Sequence, residues 1–232
     1  DEDVPTTDML TSLIQMYGVG EFDAMGLQKM LTGKNISLQL SLRNLSEGLS
    51  GTASPKDMEA MMQLIYLYFI QPRFDREAHD AVMARFMALV ENMNNNPQKV
   101  MGDSLGLIAT NYHPRTRVLD QDFLKDISYD GIEEVYRDRF ADASDFIFII
   151  AGNMDQDEVK LLSQKYLGSI PDLDRSETWI DRQVYEPEGK VEKTIPLSMA
   201  TPKANVNIVL NQEMTYDPYH RMVLRVIEGI LD

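Results

Sequence analysis

The side chains with the widest chemical range in this sequence are three histidines, His79, His113 and His220, with no cysteine to join them. A zinc hydrolase helix carries two imidazoles about four residues apart, so that both rings share one face, and a glutamate to take a proton from water. No pair of these histidines has that spacing. His79 has Asp80 beside it but no second imidazole within a turn, and His113 precedes Pro114 in a loop, so each histidine reads as a surface or loop residue without a site role. The lack of Cys removes thiolate zinc sites and disulfide frameworks from these residues.

Nucleophile and phosphate chemistries find no better support. The sequence holds no G-x-S-x-G, no G-x-x-x-x-G-K-[ST] and no G-x-G-x-x-G after a strand. Gly18-Val-Gly20 and Ala151-Gly-Asn153 read as helix termini. The acidic pairs Asp155/Asp157 and Glu133/Glu134 fall on predicted helix starts and exposed faces, as caps and solvated surface. Methionine is abundant, with 15 residues, and a Met-rich groove suits promiscuous peptide binding; most of these Met, however, share stripes with Leu, Ile or Phe at the spacing of a core face. Acids outnumber bases 37 to 22, and the net charge of −15 repels phosphate backbones, which discounts nucleic acid and anionic membrane surfaces as partners. No window approaches the run of about 18 apolar residues that a membrane span needs. Asp1 to Asp8 lack the basic and apolar regions of a signal peptide.

The elements that would position a site form a mixed α/β chain. Met9, Leu13, Met16 and Tyr17 recur at helical spacing over 7–17, ahead of Gly18 and Gly20 as stop signals. A short helical stretch covers 24–31, and 36–43 alternates apolar and polar as a half-buried strand does; a turn at 44–48 leads into a return strand over 48–53. Ser54-Pro-Lys-Asp57 is a capped helix start behind which Met58, Met61, Met62, Ile65 and Phe69 line one face until Pro72. Residues 77–93 repeat the stripe through Val82, Phe86, Leu89, Val90 and Met93, Asn94 to Pro97 breaks it, and a further helix runs to about 110, so the long helices predict a hairpin. Helices over 121–126 and 129–140 follow, the second burying Ile132, Val135, Tyr136 and Phe140.

Residues 145–152 are apolar on both faces and predict the central strand of the sheet. Asp155 to Glu158 opens a helix through Val159, Leu162 and Tyr166 that ends at Gly168. From Pro171 to Gly189 the chain turns acidic and aperiodic, a linker that Trp179 is expected to pin to a domain surface. Strands over 191–198 and 204–210 precede a helix over 217–231 striped by Tyr219, Met222, Val223, Val226, Ile227 and Ile230, expected to pack on the first domain or on a second copy. Two strands and one helix cannot close a core, so the sequence is expected to end inside a second domain.

Ser54-Pro-Lys-Asp57 leading through Ile65 to Gln71-Pro-Arg-Phe74-Asp75, then Asn94 to Pro97, His113-Pro114, Tyr136-Arg-Asp-Arg-Phe140, Ile150-Ala-Gly-Asn153 and Leu167-Gly-Ser-Ile-Pro171 follow one another in an order that resembles the pitrilysin/insulinase family of zinc metallopeptidases. The resemblance implies an α/β (α+β) fold: a mixed, largely antiparallel sheet packed with helices, the peptidase-homology domain of the pitrilysin and mitochondrial-processing-peptidase type. It implies one such domain over 1–171 without its two N-terminal strands, a linker over 172–190, and the truncated beginning of the next homologous domain over 191–232.

Active domains of the family carry H-x-x-E-H on the first helix. Transferred to this chain, the ligand, base and ligand positions fall on Met9, Ser12 and Leu13, and the family's third ligand, a Glu, falls near Leu89 or Val90 with Met87 and Ala88 beside it. No acid lies between Asp80 and Glu91, so a shift of register restores nothing. The resemblance therefore implies a non-catalytic copy from the C-terminal half of a long bacterial member. It has no catalytic residues, no metal ligands and no assigned substrate residues. Zinc is expected in an absent N-terminal half, and that half and a peptide substrate are the implied partners, with self-association through the 217–231 helix.

The expected role is to enclose a peptide for hydrolysis by the other half. The strand from Ile36 to Leu42 is either an edge open to strand addition or an interior strand. The compartment is unknown from the residues; the resemblance implies the bacterial periplasm. The alternative is a structural or interaction core subunit of the same fold with no proteolytic partner, and no constellation supports an enzyme of unrelated chemistry.

Overall fold

The computed structural model describes residues 3–93, 96–197, 203–211, 215 and 217–231. Helix α1 (Val4–Tyr17) has Pro5 in its first turn, where the missing N–H loses no bond. It stops at Gly18, whose φ of +93° strains any side chain and whose added Cβ would meet the Phe22 carbonyl oxygen. Helix α2 (Ala24–Met30) is capped by the Asp23 carboxylate, which accepts from the Gly26 N–H at 2.6 Å. Strands β1 (Ile36–Arg43) and β2 (Ser46–Ala53) pair antiparallel from Ile36↔Ala53 to Arg43↔Ser46. This gives the α+β class with an antiparallel sheet, which among the described residues is the hairpin alone.

A 3-10 turn over Pro55–Asp57 leads into α3 (Met58–Ile70). The expected cap at Ser54 is rearranged: its hydroxyl donates to the Asp57 carboxylate, which also accepts from the Asn35 N–H at 2.9 Å and so fastens the helix entry to the start of β1. Helices α4 (Arg76–Met93), α5 (Pro97–Ala109), α6 (Gln121–Lys125) and α7 (Tyr129–Phe140) fall where the periodicity puts them, capped by Asp75, Asn96, Asp120 and Ser128. Asn94 and Asn95 of the expected break lie outside the described residues. Helix α8 (Gln156–Lys165) opens on Asp155, whose carboxylate accepts from two backbone N–H groups. A 3-10 turn over Leu167–Ser169 follows, and α9 (Pro218–Leu231) closes the described chain.

One apolar core gathers Leu10, Leu13, Ile14 and Tyr17 of α1 with Val82 and Val90 of α4, Phe123 and Leu124 of α6, and Ile132, Tyr136 and Phe140 of α7. The Ser128 N–H donates to Thr6 Oγ1 at 3.1 Å and fixes the start of α7 against α1. The expected hairpin of long helices gives way to a different packing. Helix α3 lies against β1, β2 and α8, and α4 against α1 and α6, because α3 turns Met61, Met62 and Leu64 inward toward the sheet while Val82 and Val90 of α4 face α1.

The central strand expected over 145–152 is not formed: Asp145 sits in a turn, Gly152 in a bend, and no described residue pairs with the run in a ladder. Its apolar alternation persists. Phe146 and Phe148 pack on Phe69 of α3, with centroids 5.0 and 6.1 Å away, whereas Ile147 and Ile149 are each 86% exposed. Side-chain pattern sets which face a strand buries, but a ladder also needs a second backbone alongside, and the described residues bring none.

The chain divides into two compact units, Asp1–Tyr185 and Glu186–Asp232. In the first, the stretch after Pro171 is fastened by charge. Trp179 is 75% exposed and pins nothing; instead the buried Asp142 carboxylate accepts from the N–H groups of Leu173 (2.9 Å) and Arg175 (3.2 Å), and Arg139 grips Glu177 through two bonds of 2.7 and 2.8 Å. In the second unit the runs expected as strands are extended without ladders among the described residues, and Ser198 lies outside them. The stripe of α9 is largely exposed, from Tyr219 to Ile230.

Candidate functional site

The structure brings together the two helices on which the resemblance locates metal ligands. Helix α1 packs on α4, and Leu13 and Val90, both fully buried, belong to the core that these helices share. Met9 is half-buried against the same core and Ser12 is exposed. Leu89 points outward, 53% exposed, with Ala88 exposed and Met87 half-buried. The seam is sealed by hydrocarbon. Of these positions only the Ser12 hydroxyl carries an oxygen donor, and it faces away from Leu13 and Val90, so this set does not fit a zinc ion.

Beside the seam lies a polar group that the sequence reading misplaced. His79 of α4 is a buried residue, not a surface one: its Nδ1 and the hydroxyl of Tyr17 share a 2.7 Å hydrogen bond, and Tyr129 of α7 meets the ring edge-on at 5.2 Å. Burial lowers the His79 pKa below its usual value, with Asp80 pulling it up and Arg76 adding to the depression. Burial also raises the pKa of Tyr17 far above the ordinary phenol range. A histidine and a tyrosine holding each other in a closed core have no reach to a substrate; they satisfy one another. The signal was available, since His79, Val82, Phe86 and Val90 fall at helical spacing on one face. His113 accepts from the Arg115 N–H at 3.1 Å within its loop, and His220 bonds Asp217 at the start of α9.

The large concave feature is a cleft of about 2430 Å3. All eight residues of β2 form one wall and the extended run from Asp145 to Met154 forms another, with Met58, Met61, Met62 and Ile65 of α3 lining it as well. At its rim the carboxylates of Glu47, Asp145 and Glu177 come within 4.8 Å of one another. That cluster already holds a cation. Arg139 bonds Glu177 and Asp138 and lies 3.7 Å from Glu47, while Arg175 bonds Glu177 and Asp138. Bonds to Glu177 raise the Arg139 pKa further, and burial lifts that of Glu47 despite the guanidinium. Two guanidinium groups among four carboxylates form a structural network that holds the 172–177 stretch.

Residues 126–232 match the family model described as the Peptidase M16 inactive domain. Over 230 residues the chain is 20% identical to a probable zinc protease, PqqL, of Haemophilus influenzae, covering 95% of this chain and 23% of that protein. Solved structures share the fold. The periplasmic protease PqqL of Escherichia coli superposes with a TM-score of 0.63 at 16% identity, over 79% of this chain and 20% of that one. The ferredoxin protease FusC in complex with Arabidopsis ferredoxin gives 0.60 at 16% identity, over 77% and 19%. A protease from Helicobacter pylori gives 0.61 at 14% identity, over 79% and 44%. The chain thus spans 23% of the length of the curated relative that it matches.

Proposed function

We propose, from the match of residues 126–232 to the Peptidase M16 inactive domain, that the chain is a catalytically silent piece of a longer zinc protease, shaping the space in which a polypeptide is held for hydrolysis by another half. The domain layout of this reading is an inactive peptidase-homology domain over 1–171, a linker over 172–190 and the start of a second homologous domain over 191–232. Zinc and the general base belong to the other half. This piece contributes positioning and water exclusion, which lower a barrier by holding the scissile bond near its attack geometry.

The observation that carries the reading is hydrocarbon at the positions to which the resemblance transfers the donors, fully buried at Leu13 and at Val90, with Leu89 as the alternative to the latter. The similarity to PqqL, described as a zinc protease, and to FusC, seen with a bound ferredoxin, supports a polypeptide as the partner. The test is metal content and cleavage. The 232-residue chain is expected to bind no stoichiometric zinc at neutral pH and to leave an unfolded peptide intact. The longer polypeptide is expected to bind one zinc and to cleave, with its metal content unchanged by Leu13→Ala. Tight zinc binding or peptide cleavage by the 232-residue chain alone would overturn the proposal.

A further inference from the structure

The sequence holds 15 methionines and no cysteine, so all of its sulfur is thioether. Some of that sulfur fills the core. Met61 and Met62 of α3 are buried, and Met9, Met83 and Met87 pack against the core from α1 and α4. Among the described residues four methionines stand out in water, and three of them, Met16, Met25 and Met30, fall at the corner where α1 gives way to α2, with 44%, 67% and 56% of their surface exposed. The fourth, Met222, belongs to the stripe of α9.

The corner keeps its shape without these three thioethers. Helix α1 meets the core through Leu13, Ile14 and Tyr17, and the α2 segment meets it through Leu27 and Leu31. Backbone closes the turn between the helices: the Val19 N–H donates to the Phe22 carbonyl and the Gly20 N–H to the Gln71 carbonyl, each at 2.9 Å, while Asp23 caps α2. A thioether reacts with a peroxide by taking one oxygen. The O–O bond breaks, an S=O bond forms, sulfur gives up two electrons, and the second peroxide oxygen leaves as water. On the exposed corner the new dipole is solvated by water. At Met61, whose methyl lies 2.5 Å from where a Cβ on Gly51 would stand, the same dipole would be buried among apolar groups.

We infer that Met16, Met25 and Met30 form a reversible oxidation site, a surface that takes oxygen from peroxides ahead of the other methionines of residues 1–185 and carries three sulfoxides with its fold intact. The return step draws two electrons from a dithiol through methionine sulfoxide reductases and releases the oxygen as water. Reach favours it, because all three side chains project from helices into solvent. In a chain without thiols, these are the sulfur atoms that can intercept an oxidant at the least structural cost. The inference stands on exposure and on what holds the corner, and it is independent of the peptidase reading.

The experiment treats the full polypeptide with hydrogen peroxide and maps the added oxygen by peptide mass spectrometry over time. Met16, Met25 and Met30 are expected to oxidise at least about 10-fold faster than Met61 and Met62. Once the three have reacted, the thermal midpoint is expected to be unchanged, and the two epimer-specific reductases with a dithiol are expected to restore all three thioethers. The control is the triple variant Met16→Leu, Met25→Leu and Met30→Leu, which alters exposed positions only. If peroxide lowers the midpoint equally in parent and variant, the damage arises elsewhere and the inference stands; a fall that the variant escapes overturns it. Even oxidation across the methionines, first reaction at Met61 or Met62, or sulfoxides at the corner that the reductases leave in place would each overturn it as well.

Discussion

The seam between α1 and α4 and the cleft beside β2 are built from the same kind of residue and end in opposite states. Leu10, Leu13, Ile14 and Val90 are wholly buried, whereas Ile147 and Ile149 stand almost fully in water. The difference lies in the backbone. A helix spends its hydrogen bonds on itself, so α1 and α4 seal once their side chains fit. An extended run exports every N–H and C=O and stays open until a second strand arrives. The seam between α1 and α4 is closed with hydrocarbon, whereas the run from Ile147 to Ile150 finds no backbone partner among the described residues.

The largest test of this contrast is a pair of truncations. Leu13→Ala opens a cavity in the sealed seam and is expected to lower stability by about 2–5 kcal/mol, while Ile149→Ala in the 232-residue chain is expected to change it by less than about 0.5 kcal/mol, both read from urea unfolding. Equal effects would break the comparison. Next in size is Tyr136→Phe. Helix α3 ends ahead of Pro72, which has no N–H to offer the carbonyl of Tyr68 four residues earlier. The Tyr136 hydroxyl supplies it instead, donating at 2.8 Å in a buried setting, and its loss is expected to cost about 1–3 kcal/mol with little change in packing.

The helices were legible in the sequence because their stripes and caps are local. Asp155 ahead of α8, Ser128 ahead of α7 and the run Ile132, Tyr136 and Phe140 fall where spacing alone puts them. That Leu13 and Val90 face a core was legible too, since both sit on apolar stripes at helical spacing. What could not be read was pairing across distance. Nothing local says that Tyr136 will cap Tyr68, that Tyr17 will bury His79, or that Asp142 and not Trp179 will hold the linker, because each contact joins groups more than thirty residues apart or depends on a turn that the pattern does not encode. The 145–152 run misled for a related reason: its composition is that of a central strand, but centrality is a property of its neighbours.

His79 gives the seam a pH signature. Its pKa is lowered in the fold, so the unfolded chain takes up the proton first, and stability rises with pH. The contribution is present in full above the unfolded value of about 6.5 and is lost as pH falls through the lower folded value. The charged groups facing it are Asp80 and Arg76, with the Tyr17 and Tyr129 rings packed on it. Thermal midpoints between pH 7 and pH 5 are therefore expected to fall for the parent chain, and to fall less for His79→Phe, which keeps a ring and has nothing to protonate.

The smallest effect belongs to the anchor beside the cleft. Asp142 accepts from the N–H groups of Ser144, Leu173 and Arg175, and these bonds, the one from Leu173 foremost, hold its pKa down to about 2. A depressed carboxylate contributes stability above its unfolded value, near 4, and loses it as pH falls toward the folded one. Acid should thus release the 172–177 stretch before it touches the seam, seen as faster exchange of the Leu173 and Arg175 amides between about pH 4 and pH 2. Asp142→Asn is expected to bring that release to neutral pH with almost no shift in the global unfolding midpoint, because an NH2 donor replaces one of the two oxygens, Oδ1 that accepts from Ser144 and Leu173 or Oδ2 that accepts from Arg175. A global loss as large as that of Leu13→Ala would instead make the anchor part of the sealed core, and the boundary between the closed and open regions would have to be redrawn on the far side of Asp142.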